Sequence, residues 1–80
     1  MENTLYSSVQ YGYIEIHLKE LIDSRQICRN ALARAIDTRF EVIDKWYKGN
    51  VEKMDMDVLA RICYALQCNP QDIICYIRNS

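Results

Sequence analysis

Eighty residues, half of them apolar, fit one small domain, and the presence of only two glycines and one proline favours a helical one. No apolar run reaches the roughly 20 residues of a membrane-spanning helix, and the N-terminus lacks the regions of a signal peptide, so we expect a cytoplasmic protein. The net charge of −1 excludes an overall basic surface, so a site for an anionic partner would have to depend on local charge.

The first residues show no hydrophobic period, so the sequence predicts a flexible tail over 1–12 and one domain over 13–80. Residues 13–17, YIEIH, alternate between apolar and polar side chains, as a half-buried strand does. Such a strand could pair with Cys75–Ile77 near the other terminus. The same residues could equally form an irregular approach to the first helix.

Five helices are predicted after this segment. The first runs from about Leu18 to Arg25, the second from Cys28 to Ile36, and the third ends at Lys48, with Gly49–Asn50 as its stop signal. Between the second and third helices lies Asp37, where a left-handed backbone is often required and aspartate is tolerated.

The last two helices have clear start signals. Asp55 is a natural N-cap for the fourth, whose buried stripe consists of Leu59, Ile62, Cys63 and Leu66. Asn69 and Pro70 predict the start of a fifth helix. Its buried face is predicted to consist of Ile73, Ile74 and Ile77.

The cysteines and the single histidine form no recognisable metal or catalytic motif. Cys28, Cys63, Cys68 and Cys75 include no C-x-x-C pair, and His17 has no partner at catalytic spacing. We interpret the cysteines as small buried side chains in a reduced compartment, with zinc binding or a disulfide framework as the alternative. Neither an enzyme nor a cofactor or metal site is predicted.

The segment Arg29–Asn50 is the most informative part of the chain. It predicts two short helices whose apolar stripes can pack together, with only Asp37–Thr38 left to form the bend. This is the helix-turn-helix arrangement, whose second helix can enter a DNA major groove. Residues 28–50 carry five basic and three acidic residues, whereas both flanking regions carry more acidic than basic ones.

Two stretches, LARAIDTRFEVIDKWYKGN and DVLARICYALQCNPQDII, resemble the phage-repressor-like (Cro-type or XRE-type) helix-turn-helix domain of small bacterial regulators. The resemblance covers Leu18–Ile77. It implies an all-α, compact five-helix bundle that acts as a sequence-specific DNA-binding transcriptional regulator, with a repressor as the expected type. Because one recognition helix buries little surface, we expect a homodimer on double-stranded DNA, with the contact at Tyr13–Ile16 and Tyr76–Ile77.

The resemblance also implies roles for individual residues. Residues expected to face DNA bases are Arg39, Phe40, Glu41, Asp44 and Lys45. Residues expected at the DNA backbone are Arg29, Thr38, Tyr47, Lys48 and Asn50.

Each role has an alternative. Arg39 and Glu41 could be merely solvated, Lys45 could pair with Glu41, and Asp44 could be solvated or pair with Lys48. Trp46 and Tyr47 are spaced like core residues, although the Tyr47 hydroxyl could still reach a phosphate.

The sequence departs from the family pattern at three places. Cys28 replaces a Ser or Thr cap, at a cost of about 0.5–2 kcal/mol. Asp37 replaces a turn glycine. Phe40, Glu41 and Asp44 replace the small or amide residues that are common on the reading face. The alternative function is therefore a protein-interaction module on the same fold, antitoxin-like or regulator-binding, with Phe40 as an anchor for the partner.

Overall fold

The computed structural model describes residues 4–79, which form four α-helices and one two-stranded antiparallel sheet. The elements in chain order are β1 (Tyr13–Ile16), α1 (Leu18–Ser24), α2 (Arg29–Ala35), α3 (Phe40–Lys48), α4 (Met56–Leu66) and β2 (Ile74–Ile77). Short 3₁₀ turns occupy Ser8–Gln10 and Pro70–Asp72. Residues 1–3 of the predicted tail and residue 80 of the predicted domain lie outside the described residues. None of the described helices is long and apolar enough to cross a membrane.

The prediction of a fifth helix is wrong. The start signals do operate, because Asn69 and Asp72 form a reciprocal capping box around Pro70, but the helical turn lasts only three residues. The chain then becomes extended at Ile74 and pairs with β1. The run Ile-Ile-Cys-Tyr-Ile is rich in β-branched and aromatic residues, which favour a strand once a hydrogen-bonding partner is available. The fold is therefore mostly helical with a small sheet, and not all-α.

The predicted pairing of the two ends of the domain is confirmed. Tyr13 lies opposite Ile77 and Ile16 lies opposite Ile74. Gly12 lets the chain cross the end of β2 closely, because a Cβ atom built there would lie 1.7 Å from the carbonyl oxygen of Ile77. The Gly12 amide donates a hydrogen bond of 2.8 Å to the Tyr76 hydroxyl.

A single apolar core fixes the orientation of α3. The two buried side chains of α3, Ile43 and Trp46, come from one stripe of that helix. Burying side chains of this size contributes roughly 1.5–3 kcal/mol each, so rotation of α3 about its axis is strongly disfavoured. The other core residues are Leu18, Ile22, Leu32, Ala33, Ile36, Leu59, Ile62, Leu66 and Ile73.

All four helices are followed, within two residues, by a residue with left-handed backbone. These residues are Gln26 (φ 58°), Asp37 (φ 56°), Gly49 (φ 75°) and Gln67 (φ 51°). In each case the following amide donates back to a carbonyl five residues earlier, as in a Schellman motif. The predicted conformation of Asp37 is confirmed, and it makes the turn between α2 and α3 tight.

The cysteines are less buried than predicted. Cys28 and Cys75 are exposed, because one precedes α2 and the other lies on the outer face of β2, while Cys63 and Cys68 are half-buried. All four thiols are free. Burial, and then the neighbouring Cys63, raise the pKa of the Cys68 thiol. Residues 4–79 contain no group of three potential metal ligands.

Candidate nucleic-acid interface

The outward face of α3 carries charged side chains in one line. Glu41, Lys45 and Lys48 are spaced by four and three residues, and all three are exposed opposite the buried Ile43 and Trp46. Arg39 is the exposed N-cap residue just before the helix. We call Arg39, Glu41, Lys45 and Lys48 the outer stripe. With three cations and one anion, it is a surface that can face a phosphate-lined groove.

Three of the four residues of the outer stripe, all but Lys48, form no ion pair within residues 4–79. The alternative pairing of Lys45 with Glu41 is not among the ion pairs of this region, and Arg39 also forms none there. Their charged groups are therefore available to a ligand without loss of an internal contact.

Asp44 forms ion pairs with two of the cations that were expected at the DNA backbone. Arg29 Nη1 lies 2.6 Å from Asp44 Oδ1, and Lys48 Nζ lies 3.0 Å from Asp44 Oδ2. Of the two alternatives for Asp44, solvation or pairing with Lys48, the structure shows the pairing. The hydrogen bond from Lys48, together with that from Arg29, lowers the pKa of Asp44. The carboxylate therefore stays ionised at neutral pH and offsets part of the local positive charge.

The Arg29 guanidinium also stacks on two aromatic rings. It lies 4.5 Å from the centre of the Tyr47 ring and 5.5 Å from that of Phe40, which are cation–π distances. Phe40 remains 37% exposed. Five predicted site residues therefore meet on one flank of α3, and we call them the Asp44 cluster: Arg29, Phe40, Asp44, Tyr47 and Lys48.

Two residues of α1 extend this cluster, and sequence reasoning missed them. The Tyr47 hydroxyl lies 2.9 and 3.0 Å from the two carboxylate oxygens of Asp23, and Lys19 Nζ lies 3.0 Å from Asp23 Oδ2. The bond from Lys19, followed by that from Tyr47, lowers the pKa of Asp23. The four-residue spacing of Lys19 and Asp23 was visible in the sequence, whereas their contact with Tyr47 depends on how α1 packs against α3.

The opposite flank of α3 carries the remaining predicted residues. Thr38, Lys45 and Asn50 line an open groove of about 580 Å³ between α3 and the loop that leads to α4. The backbone amide of Asn50 donates a hydrogen bond to the backbone carbonyl of Lys45, which fixes the start of that loop. Thr38 and Asn50 thus lie on the side of α3 that faces the groove.

Two further arginines donate side-chain hydrogen bonds to backbone carbonyls at the ends of helices. Arg61 donates a 2.9 Å hydrogen bond to the carbonyl of Ile36, at the end of α2, and Arg25 donates to the carbonyl of Leu66. Cys28 forms no side-chain cap hydrogen bond to α2, as its place in the sequence predicted. These hydrogen bonds join α1 to α4 and α4 to α2 at the C-terminal ends of α4 and α2.

Comparison with known proteins gives a consistent result. A family model described as the Cro/C1-type HTH DNA-binding domain matches residues 17–79. No curated protein matches the chain.

Two solved structures are similar in fold. The transcriptional regulator VanUg is 26% identical with a TM-score of 0.69, and the match covers 96% of this chain and 99% of that one. A "putative DNA-binding protein" from Bacteroides fragilis is 17% identical with a TM-score of 0.69, over 79% of this chain and 100% of that one.

Proposed function

The chain belongs to the Cro/C1-type helix-turn-helix DNA-binding domain family, and from this premise we propose that it recognises a specific DNA sequence by placing α3 in the major groove. Family membership makes it a DNA-binding regulator and not an enzyme. The proposal adds the recognition helix, the residues that read and hold the DNA, and a repressor role through occupation of an operator.

The exposed outer stripe is the observation that carries the proposal. Because Ile43 and Trp46 are buried, α3 can present only the opposite face to a groove, and that face carries Glu41 and Lys45, with the exposed Arg39 just before the helix. A helix in the major groove reads bases with its N-terminal residues, which is where Arg39 and Glu41 lie.

Base readout is assigned to five residues. Arg39 can donate two hydrogen bonds to guanine, Glu41 can accept one from a cytosine amino group, and Phe40 can contact a thymine methyl group. Lys45 extends the readout by one helical turn. Asp44 faces the same region, but its carboxylate is already shared by two cations and acts mainly through them.

Backbone contacts are assigned to residues on both flanks of α3. Arg29 and Lys48 can exchange the Asp44 carboxylate for DNA phosphates, since phosphate binding requires only charge and reach. Thr38 and Asn50 offer polar groups on the groove side, and the Tyr47 hydroxyl can bind a phosphate when it leaves Asp23. Two copies of the domain on a two-fold operator would double these contacts.

Selection from a random duplex library with the purified chain tests the function. We expect enrichment of one palindromic sequence, followed by binding that weakens at least tenfold between 50 and 200 mM salt, as for several neutralised phosphates. Failure to enrich any sequence at low salt would contradict the proposal. A reporter gene behind the enriched sequence then separates repression from activation.

A second candidate, docking of a protein partner on the same face, is favoured by the Asp44 cluster. There the anion offsets the nearest cations and leaves the Phe40 ring partly exposed. In that case binding of the protein partner would respond little to salt. Phe40→Ala would weaken the binding of this partner more than the double variant Arg39→Ala, Lys45→Ala would. The reverse order supports DNA readout.

A further inference from the structure

Two of the four free cysteines lie at the two ends of one turn. α4 ends in a Schellman motif, in which Gln67 has left-handed backbone and the amide of Cys68 donates a 3.0 Å hydrogen bond to the carbonyl of Cys63. We propose that Cys63 and Cys68 are a reversible oxidation site, at which a low-molecular-weight disulfide converts the two thiols into an intramolecular disulfide. This site is independent of the proposed function, because neither cysteine belongs to α3 or to the outer stripe.

The Schellman motif brings the two backbones within disulfide distance. One hydrogen bond of 3.0 Å links the Cys68 nitrogen to the Cys63 carbonyl oxygen. Standard bond lengths then hold the two Cα atoms within about 7 Å of each other. Cα atoms that are farther apart than about 7 Å cannot be bridged by a disulfide without backbone movement. The backbone of the reduced protein therefore already meets this requirement.

The two side chains lie on the same side of the turn. In a Schellman motif the residues at these two positions commonly make an apolar contact. The end of α1 has the same motif, and its equivalent positions hold Ile22 and Ile27, which both belong to the core or pack against it. Cys63 and Cys68 also pack against the core, and together they line an open cleft of about 440 Å³. At the end of α4 the usual apolar pair is thus replaced by a pair of thiols.

The Cys68 thiol is a direct neighbour of Cys63. Burial raises the pKa of Cys68, and Cys63 raises this pKa further through its charge and through a side-chain hydrogen bond. A hydrogen bond acts only between groups in close contact. The raised pKa also keeps the Cys68 thiol protonated at neutral pH, so we place the first attack on the oxidant at Cys63.

The reaction is a thiol–disulfide exchange in two steps. The Cys63 sulfur, as a thiolate, attacks one sulfur of the small disulfide, whose S–S bond breaks and releases one thiol while a mixed disulfide forms. The Cys68 thiol then loses its proton and attacks the Cys63 sulfur, which releases the second small thiol. Two protein thiols are oxidised, and one small disulfide is reduced to two thiols that take up the two protons. An excess of small thiol reverses both steps.

The other two cysteines lack this arrangement. Cys28 precedes α2 and Cys75 lies in β2, and neither has a second cysteine in the same turn. Both are exposed, so a small disulfide can reach them. We expect the same oxidant to leave Cys28 and Cys75 as mixed disulfides.

A disulfide between Cys63 and Cys68 would close a covalent ring at the end of α4. The ring contains Leu66, whose side chain is buried in the core and whose carbonyl accepts a hydrogen bond from Arg25. The folded chain holds the two cysteines together, whereas the unfolded chain does not. The disulfide must therefore stabilise the fold by the same factor by which folding favours the disulfide, and we expect a factor of at least about ten.

Peptide mapping by mass spectrometry after incubation with glutathione disulfide tests the proposal on the full chain. Trypsin and Asp-N together cut after Arg61 and before Asp72, so the peptide 62–71 contains Cys63 and Cys68 and no other cysteine. We expect this peptide to lose both thiol hydrogens and to regain them with dithiothreitol. The effective concentration of the two thiols, measured as the equilibrium constant of the exchange with glutathione, should fall at least about tenfold in concentrated urea.

The matched control is the variant Cys28→Ser, Cys75→Ser, which removes the two exposed cysteines and leaves the turn intact. It should form the same internal disulfide, with an effective concentration within about twofold of the original value. Cys68→Ser should instead leave Cys63 as a mixed disulfide with glutathione, and circular dichroism should show that this variant is folded.

Three results would overturn the proposal. They are a peptide 62–71 that carries only mixed disulfides, a disulfide that joins Cys63 or Cys68 to one of the other two cysteines, and an effective concentration that urea leaves unchanged. Because no DNA is present, none of these results depends on whether the proposed function is correct.

Discussion

The guanidinium of Arg29, the first residue of α2, lies 2.6 Å from the carboxylate of Asp44, near the middle of α3. The same carboxylate also lies 3.0 Å from the ammonium of Lys48. The two cations proposed to bind phosphates thus already have an anionic partner within the protein. Binding to DNA would require them to exchange one anion for another, which lowers the net gain from each phosphate contact.

Replacement of Asp44 by asparagine should therefore tighten DNA binding. Asp44→Asn releases Arg29 and Lys48 for phosphates and removes a negative charge from the face that approaches DNA, so we expect roughly three- to tenfold higher affinity at low salt and a steeper salt dependence. Fluorescence anisotropy with the selected duplex and with a scrambled duplex measures both. Affinity for the scrambled duplex should rise as much, because phosphate contacts carry no sequence information.

Asp57→Asn is the matched control for this experiment. Asp57 also pairs with an arginine, Arg61, but the pair lies on α4, outside the proposed interface. The variant Asp57→Asn changes the net charge by the same amount as Asp44→Asn and should alter the affinity for DNA less than twofold. Equal tightening by both variants would show that net charge alone is responsible, and weaker binding by Asp44→Asn would give Asp44 a direct role in readout.

The outer stripe should be essential for sequence recognition. The double variant Arg39→Ala, Lys45→Ala removes two exposed cations that have no ion-pair partner within residues 4–79, so folding should be unaffected. Loss of two base or phosphate contacts of about 1–3 kcal/mol each should weaken binding to the selected duplex at least about 30-fold. A gel-shift titration checks this. Arg34→Ala, Arg78→Ala removes two other exposed cations and should retain most of the affinity.

The helical part of the fold could be predicted because its signals are local. The stripes that bury Leu32, Ile43 and Ile62 repeat at helical spacing, and the observed bounds of α1 and α2 and the end of α3 agree with the prediction to within one residue. The end of the chain could not be predicted in this way. Its helix start signal at Asn69 is real, but whether Ile74 continues a helix or forms a strand depends on β1, which lies far away in sequence.

The candidate nucleic-acid interface, like the fold, could be predicted only where its signals are local in the sequence. Exposure of Glu41 and Lys45 follows from the period of α3 alone. The bond between Arg29 and Asp44 joins two helices, and that between Tyr47 and Asp23 spans 24 residues, so both depend on packing angles that the sequence does not encode locally. The sequence therefore predicted which residues share the region and offered the pair of Asp44 with Lys48 within α3, but it did not predict the pairs that join two helices.

The left-handed helix ends offer a test of backbone strain. Glutamine at position 26 has φ 58°, which costs an L-residue roughly 1–2 kcal/mol, and glycine would avoid this cost but lose about 0.5–1 kcal/mol of chain entropy. Gln26→Gly should therefore raise the free energy of unfolding by about 0.5 kcal/mol or more. Chemical denaturation followed by circular dichroism measures the change.

The reverse substitution at Gly49 is the companion experiment. A Cβ atom at Gly49 would meet no atom within 4 Å, so Gly49→Ala isolates the backbone cost of φ 75° from any steric clash. It should lower the free energy of unfolding by about 0.5–1 kcal/mol. A stabilising effect of Gly49→Ala would show that left-handed strain is not the controlling factor at these helix ends.

Stability should fall in acid because Asp23 and Asp44, two carboxylates that form ion pairs beside α3, become protonated. Hydrogen bonds from Lys48 and Arg29 lower the pKa of Asp44, and those from Lys19 and Tyr47 lower the pKa of Asp23, both from the ordinary value of 3.8. A lowered pKa in the folded state means that the stabilisation is complete above 3.8 and is lost as the pH falls through the lower, folded-state value. Urea unfolding at a series of pH values from 7 to 2 should therefore show decreasing stability below about pH 4.

The double variant Asp23→Asn, Asp44→Asn should reduce this acid dependence, because amides at both positions cannot take up the protons that destabilise the folded state. It should be less stable than the original at pH 7 and approach it near pH 2, since there the original carboxylates are also uncharged. Glu52→Gln, in the loop before α4, removes a carboxylate outside the network and serves as the control. Parallel curves for the double variant and the original chain would mean that the two ion pairs contribute nothing to folding, as many exposed pairs do.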